Sequence, residues 1–163
     1  MKFEIGRWFI PQGLEAIYPV SVQDVKVEDD ALVITGYSGT GRTRSELNGG
    51  TIITARFTSP MPNVIHVQLT HFKGRLPRRP VFDLDNSLAN PNVRVGKDTE
   101  QAWLQAGCLE VRSATHGEWG FNFLRDGQPL TDSGARDVGV MGLNGETYLR
   151  ERLSLAPGET VYG

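Results

Sequence analysis

Hydrophobic and polar residues alternate along the chain in short runs that are separated by turn residues. Residues 25–35 alternate, break at the acidic pair Asp29 and Asp30, and then become apolar again, which predicts a β-hairpin. Residues 51–58 and 64–70 are rich in β-branched and aromatic side chains, and two prolines, which do not fit a central strand, lie between them. We therefore predict two paired strands joined by a rigid connection.

The second half of the chain continues in the same way. Asp126 and Gly127 form a strong hairpin signal, because glycine readily adopts the positive φ that such a turn needs. No window of twelve residues shows the apolar spacing of three and four that a helix requires. The pattern predicts an all-β fold, an antiparallel β-sandwich. The further predicted strands are 101–105, 109–113, 119–124 and 128–131.

Composition narrows the class of protein. A chain of 163 residues fits one domain, and its 19 glycines and 9 prolines are spread out in a way that is typical of many short elements. A net charge of −2 predicts no nucleic-acid partner and no anionic membrane surface. Cys108 is the single cysteine and cannot form an internal disulfide, so we expect a reducing compartment, the cytoplasm.

The stretch GYSGTGRT, residues 36–43, differs from a phosphate-binding P-loop mainly in carrying an arginine in place of the lysine. A P-loop is followed by a helix whose amino end faces the phosphates. Here Gly49 and Gly50 would end such a helix within about two turns. This composition favours a flexible loop between strands.

The three histidines do not predict a metal site. His66 and His71 are five residues apart in an extended run, so they point to opposite faces, and His116 lies alone in a turn. The histidine side chains are better interpreted as hydrogen-bonded within the protein or exposed to water, and we expect no cofactor.

Asp83 and Asp85 share one face at a separation of about 7 Å along an extended chain, near the spacing of a glycosidase acid and base. Two side chains on one strand rarely flank a sugar from opposite sides, so an acidic edge or a turn cap is favoured. Cys108 lacks a local histidine and is interpreted as a small buried residue.

Three tryptophans, Trp8, Trp103 and Trp119, could form a platform on which sugar rings stack. However, Trp119, Phe121 and Phe123 alternate on one face, which is typical of a core stripe. We therefore favour a core role over a sugar platform.

Several segments together resemble one family of enzymes. They are WFIPQGLEAIYP at 8–19, LN at 47–48, SPMPNVIHVQLTHFKG at 59–74, FNFLRDGQPLT at 121–131 and YLRERLSLAPGETVYG at 148–163. This set closely resembles the amino-terminal domain of glycoside hydrolase family 31, in particular its bacterial α-xylosidase branch.

The resemblance implies a galactose mutarotase-like β-sandwich, a supersandwich, in agreement with the predicted strands. It implies that residues 1–163 are one N-terminal domain that stops before the (β/α)₈ catalytic barrel of a retaining hydrolase. Such a hydrolase uses two aspartates, which the resemblance places on the barrel. Asp83 and Asp85 therefore take no catalytic role, and we expect these 163 residues alone to be inactive.

The resemblance also implies a substrate-rim loop, which we match to Glu46, Leu47, Asn48 and Gly49. In the α-xylosidase relatives this loop approaches the active site of a neighbouring subunit with a carboxylate near its tip. Here Asn48 takes that place, which keeps hydrogen bonding but removes the charge. The implied partners are the parent's own barrel, an α-linked oligosaccharide and further copies of the parent in a homo-oligomer.

Two other functions remain open from the sequence. The first is an autonomous carbohydrate-binding module, which would bind sugar without a barrel. The second is an aldose epimerase built on the same sandwich, which needs a histidine and a carboxylate in one cleft. His66 or His71 beside Asp83 would meet that need.

Overall fold

The computed structural model describes residues 12–39, 50–71 and 92–160. These residues form thirteen strands and no helix, so none of them forms an apolar helix long enough to cross a membrane. The strands are β1 (Leu14–Ile17), β2 (Ser21–Glu28), β3 (Ala31–Tyr37), β4 (Ile52–Thr58), β5 (His66–Thr70), β6 (Arg94–Lys97), β7 (Gln101–Ala106), β8 (Leu109–Ala114), β9 (Gly117–Glu118), β10 (Phe121–Arg125), β11 (Gln128–Ser133), β12 (Gly139–Leu143) and β13 (Glu146–Arg150).

The strands form three sheets in which every paired neighbour is antiparallel. Sheet 1 has the order β5-β4-β3-β2-β9, sheet 2 has the order β11-β10-β8-β7-β6, and sheet 3 has the order β1-β12-β13. Sheets 1 and 2 pack face to face, with sheet 3 joined to their core through Val138 and Val140. The predicted antiparallel β-sandwich is confirmed.

The predicted hairpins are present, whereas strands β1, β6, β9, β12 and β13 were not predicted. Asp126 and Gly127 have φ values of 50° and 78°, as their turn between β10 and β11 requires. The β12–β13 hairpin was missed although Asn144 and Gly145 turn in the same way, with φ of 54° and 81°. Its first strand reads GVMGL, and two glycines within five residues weaken the strand signal.

The core lies between sheets 1 and 2 and is organised around aromatic rings. Trp119 and Phe121 are buried, and their ring centroids lie 4.8 Å apart in an edge-on arrangement. Phe57 of the opposite sheet lies 4.9 Å from Phe121 and 6.5 Å from Phe123, again edge-on. Such pairs each add about 0.5–1.5 kcal/mol beyond the burial of their area. The predicted core stripe of Trp119, Phe121 and Phe123 is therefore confirmed. The core role favoured for Trp103 is wrong, because it is only half-buried and alternates with the buried Ala102 and Leu104 on β7.

Gly36 is a strand residue, so the expectation that the loop begins there is wrong. Strand β3 continues to Tyr37, and Gly36 lies directly beneath the Trp119 indole. A Cβ atom at Gly36 would lie 2.2 Å from Cε3 of Trp119, closer than packed atoms approach. Glycine is needed here for the close approach of the two sheets.

We predict that Gly36→Ala lowers the free energy of unfolding by about 1–3 kcal/mol, because the added methyl group forces the indole out of its place. Chemical denaturation followed by tryptophan fluorescence measures this change. Gly142→Ala is the matched control, since a Cβ there meets Glu15 at 3.5 Å, an ordinary contact. Equal stability changes in the two variants would contradict the close-approach argument.

Candidate functional site

The predicted substrate-rim loop, Glu46, Leu47, Asn48 and Gly49, lies outside the described residues. So do Asp83, Asp85 and Trp8. The role of the loop stays a prediction, and the described residues closest to it in the chain are those that flank it.

The two ends of the 40–49 segment are held together by described residues. The Ser38 amide donates to the Thr51 carbonyl at 3.0 Å, and the Thr51 amide donates to Ser38 Oγ at 2.8 Å. The buried Tyr37 ring covers Gly50, where a Cβ atom would lie 2.1 Å from the ring. The chain therefore leaves and re-enters the sheet through a narrow, ordered base.

The structure places the histidines apart. His66 Nδ1 lies 3.2 Å from Thr58 Oγ1, whereas His71 Nδ1 lies 3.1 Å from the Ile52 carbonyl. Thr58 and Ile52 are the two ends of β4, about 20 Å apart in an extended strand. His116 lies elsewhere, 3.2 Å from Thr115 Oγ1. Among the described residues, no three potential ligands gather into a metal-binding group.

Cys108 is half-buried, so the prediction of a buried cysteine is wrong. It lies with Gly107 in the turn between β7 and β8, and its amide donates to Asn63 Oδ1 at 2.9 Å. A turn at the end of the sandwich leaves one side of the residue open to solvent.

A cleft of about 890 Å³, here named the polar cleft, opens on the outer face of sheet 2. Its floor is a row of side chains on three neighbouring strands, in which Arg112 of β8 is opposite Asn122 of β10, and Asn122 is opposite Asp132 of β11. Outward-facing residues line one face of a strand at every second position, which brings these polar groups together. Leu130 and Leu155 line an apolar part of the same cleft.

An ion pair with Glu110 fixes the orientation of Arg112 in the polar cleft. Arg112 Nε donates to Glu110 Oε1 at 2.6 Å, and an Nη group donates to Oε2 at 3.2 Å. Hydrogen bonding and charge attraction from Glu110 raise the pKa of Arg112 above its usual value. The guanidinium is therefore held in one orientation, while the two bonds leave it further N–H donors.

The wall of the polar cleft is a tract after β13 that is attached to the sandwich by a second ion pair. The Arg152 guanidinium donates to Oδ1 of the buried Asp137 at 2.7 Å and 2.9 Å. The Gly134 amide donates to the other carboxylate oxygen at 2.9 Å. Two residues later, the Ser154 amide donates to the Asp132 carbonyl at 3.0 Å. Together these bonds hold the tract along the edge of β11.

A second cleft, of about 220 Å³, lies where β5 approaches the β11 edge of sheet 2. It is here named the apolar edge cleft and is lined mainly by hydrophobic residues. Leu153, on the outer side of the tract after β13, is 40% exposed beside it. The other apolar residues that line it are Ile65, Val67, Leu109, Phe123, Leu124 and Leu130.

Sequence reasoning missed both clefts. The signal for the polar cleft was present, because Arg112 and Asn122 stand at outward positions of predicted strands and Asp132 directly follows a third. Their alignment into one row depends on the pairing register, which the sequence pattern alone does not set. Arg152 and Asp137 lie outside any strand and carry no periodic signal.

The fold and these surfaces define an antiparallel β-sandwich whose surface carries the polar cleft and the apolar edge cleft. No protein-family model matches the chain. Two curated relatives do match it: the chain is 31% identical to "Alpha-xylosidase XylQ" of Lactiplantibacillus pentosus and 27% identical to an alpha-xylosidase of Emericella nidulans. Both alignments cover 100% of this chain. The resemblance to α-xylosidases inferred from the sequence is therefore confirmed.

The chain spans only part of these relatives. It covers 21% of the bacterial enzyme and 23% of the fungal enzyme. The α-xylosidase activity in the relatives' names belongs to proteins that are more than four times as long as this chain.

We predict that Arg152→Met releases the tract after β13, because the buried Asp137 carboxylate loses its charged partner. The free energy of unfolding should fall by about 2 kcal/mol, and the Ser154 amide should exchange with deuterium faster than in the unaltered chain. The matched control is Arg56→Met, since Arg56 is 39% exposed and Arg152 is 37% exposed, and each pairs with a carboxylate. Unchanged exchange at Ser154 would show that the ion pair does not hold the tract.

Proposed function

We propose that residues 1–163 are the non-catalytic N-terminal β-sandwich domain of a retaining α-glycosidase of glycoside hydrolase family 31, an α-xylosidase. The domain packs on the (β/α)₈ catalytic barrel of the same polypeptide. The observation that carries the proposal is the alignment of this whole chain with about a fifth of two α-xylosidases. The single cysteine supports a cytoplasmic parent.

The surroundings of the two most buried ion-paired carboxylates, Glu110 and Asp137, support a non-catalytic role. A retaining glycosidase needs two carboxyl groups about 5–5.5 Å apart, one of which has a raised pKa and acts as the acid. Glu110 and Asp137 are largely buried, and each is held in an ion pair with an arginine. They also lie in different places, one on β8 and the other before β12. We therefore propose that both are structural.

The apolar edge cleft supports docking on a second domain. Leu153 lines the cleft and is 40% exposed, and most of the other residues that line the cleft are hydrophobic. An apolar surface of this kind marks a site of contact. The remainder of the parent polypeptide is the occupant that we propose, because the relatives contain more than three quarters of their length beyond the matched part.

We further propose that Glu46, Leu47, Asn48 and Gly49 lie near the substrate pocket or a subunit interface of a homo-oligomeric parent. The ordered base at Tyr37 and Gly50 supports this role, since a loop that contributes to a site needs a rigid support. The substrate of the parent is an α-linked oligosaccharide, and Asn48 brings hydrogen-bonding groups without a charge to this loop.

We predict that the 163-residue chain does not hydrolyse p-nitrophenyl α-xyloside or isoprimeverose, because both catalytic aspartates belong to the barrel. Release of p-nitrophenol and of xylose measures the activity, and the full-length parent is the positive control. Turnover by the purified chain that survives repeated purification would overturn the non-catalytic assignment.

We predict that Leu153→Asp in the full-length parent lowers its free energy of unfolding by about 2 kcal/mol, because the charge becomes buried against the barrel. The same change in the 163-residue chain should have little effect. Val27→Asp is the matched control, since Val27 is 41% exposed and Leu153 is 40% exposed. Equal effects of Leu153→Asp on the parent and on the chain would count against docking at this cleft.

A further inference from the structure

We propose that the polar cleft is a binding site for a neutral oligosaccharide, distinct from the catalytic pocket of the parent. This site would hold a sugar chain on the outer face of sheet 2 and would not take part in bond cleavage. The inference rests on the described residues of sheet 2 and does not depend on the proposed docking role.

The polar row of the cleft matches the hydrogen-bonding character of a sugar. Arg112 offers only donors, Asp132 offers only acceptors, and Asn122 between them offers both. Neighbouring strands lie about 4.8 Å apart, so the row is about 10 Å long. Each sugar hydroxyl both donates and accepts, and adjacent hydroxyls can therefore pair with such a mixed row.

The row is prepared for binding before a ligand arrives. The two hydrogen bonds from Arg112 to Glu110 fix the guanidinium, and the backbones that carry Arg112, Asn122 and Asp132 are paired within one sheet. Holding polar groups in place reduces the ordering cost of association. A row on three strands is also more exactly placed than a site on loops.

Apolar side chains stand beside the polar row, as the face of a sugar ring requires. Leu124, Leu130 and Leu155 line the cleft. Trp103 is directly opposite Arg112 on β7, and its half-buried ring lies over Gly96, where a Cβ atom would come within 2.6 Å. A sugar ring has apolar C–H faces and a hydroxyl rim, so it can contact both kinds of surface at once.

The charge of the cleft selects against anions. Glu100, Asp132 and Glu159 line it, whereas the charge of Arg112 is matched by Glu110. A surplus of negative charge repels phosphates and nucleic acids. Between neutral and anionic polar ligands, a neutral polyhydroxylated chain therefore fits the cleft better.

The test is calorimetric titration of the 163-residue chain with maltohexaose and with a xyloglucan heptasaccharide. We expect saturable binding of at least one sugar that is insensitive to added NaCl, because the ligand is uncharged. Asn122→Ala and Asp132→Ala should each weaken that binding about tenfold, the effect of losing one or two hydrogen bonds. The matched controls are Gln68→Ala and Asp24→Ala, which change exposed residues of sheet 1 and should leave binding unchanged.

Amide chemical shifts of the unaltered chain provide a second test that does not depend on whether a variant folds. Sugar-induced shifts should centre on Arg112, Asn122 and Asp132. No binding of either sugar, shifts confined to other residues, or equal binding by folded cleft and control variants would each overturn the proposal. Hydrolysis of a small α-xyloside by the parent does not enter this test, so its outcome is separable from the accessory-domain role.

Discussion

The packing of Trp119 on Gly36 is the contact on which the other features of the domain depend. Trp119 follows β9, the edge strand of sheet 1, and precedes β10, a strand of sheet 2, so it lies where the chain passes from one sheet to the other. Its amide also donates to the Val20 carbonyl at 3.3 Å. Because Gly36 has no side chain, the indole sits directly on β3 and sets how closely the two sheets approach. Tyr37, which follows Gly36, supports the base of the 40–49 segment. Asn122, three residues after Trp119, is part of the polar row.

A β-bulge between β10 and β11 shapes the edge of sheet 2. Phe123 is opposite Thr131 and Leu124 is opposite Pro129, which leaves Leu130 as an extra residue without a partner in the register. A bulge re-aims the side chain at the insertion, and Pro129 cannot donate an amide hydrogen there. Leu130 is consequently 48% exposed and lines both the polar cleft and the apolar edge cleft. The irregularity is thus what makes the two surfaces neighbours.

Features that depend on residues close together in the sequence could be predicted, whereas features that depend on residues far apart in the sequence could not. Alternation within residues 25–35 and the turn at Asp126 and Gly127 are local, and both predicted the correct hairpins. The core role of Phe121 was also predictable, because a strand with one buried face shows its period directly. The opposition of Arg112 and Asn122 was not, since a register between strands is set by packing over the whole sheet. The Asp137–Arg152 pair is still less visible, because its partners lie 15 residues apart on irregular backbone.

The tract after β13 connects the two surfaces physically. Arg152 and Ser154 face the sandwich through their hydrogen bonds, and the intervening Leu153 and the following Leu155 are exposed. This alternation is that of a strand, although the tract pairs with β11 through few backbone bonds. Leu153 reaches the apolar edge cleft and Leu155 reaches the polar cleft, so one extended segment forms a wall of each. Since the Asp137 ion pair holds that segment, a domain docked on Leu153 would also hold Leu155 in place, and the polar cleft would be better ordered in the parent than in the chain alone.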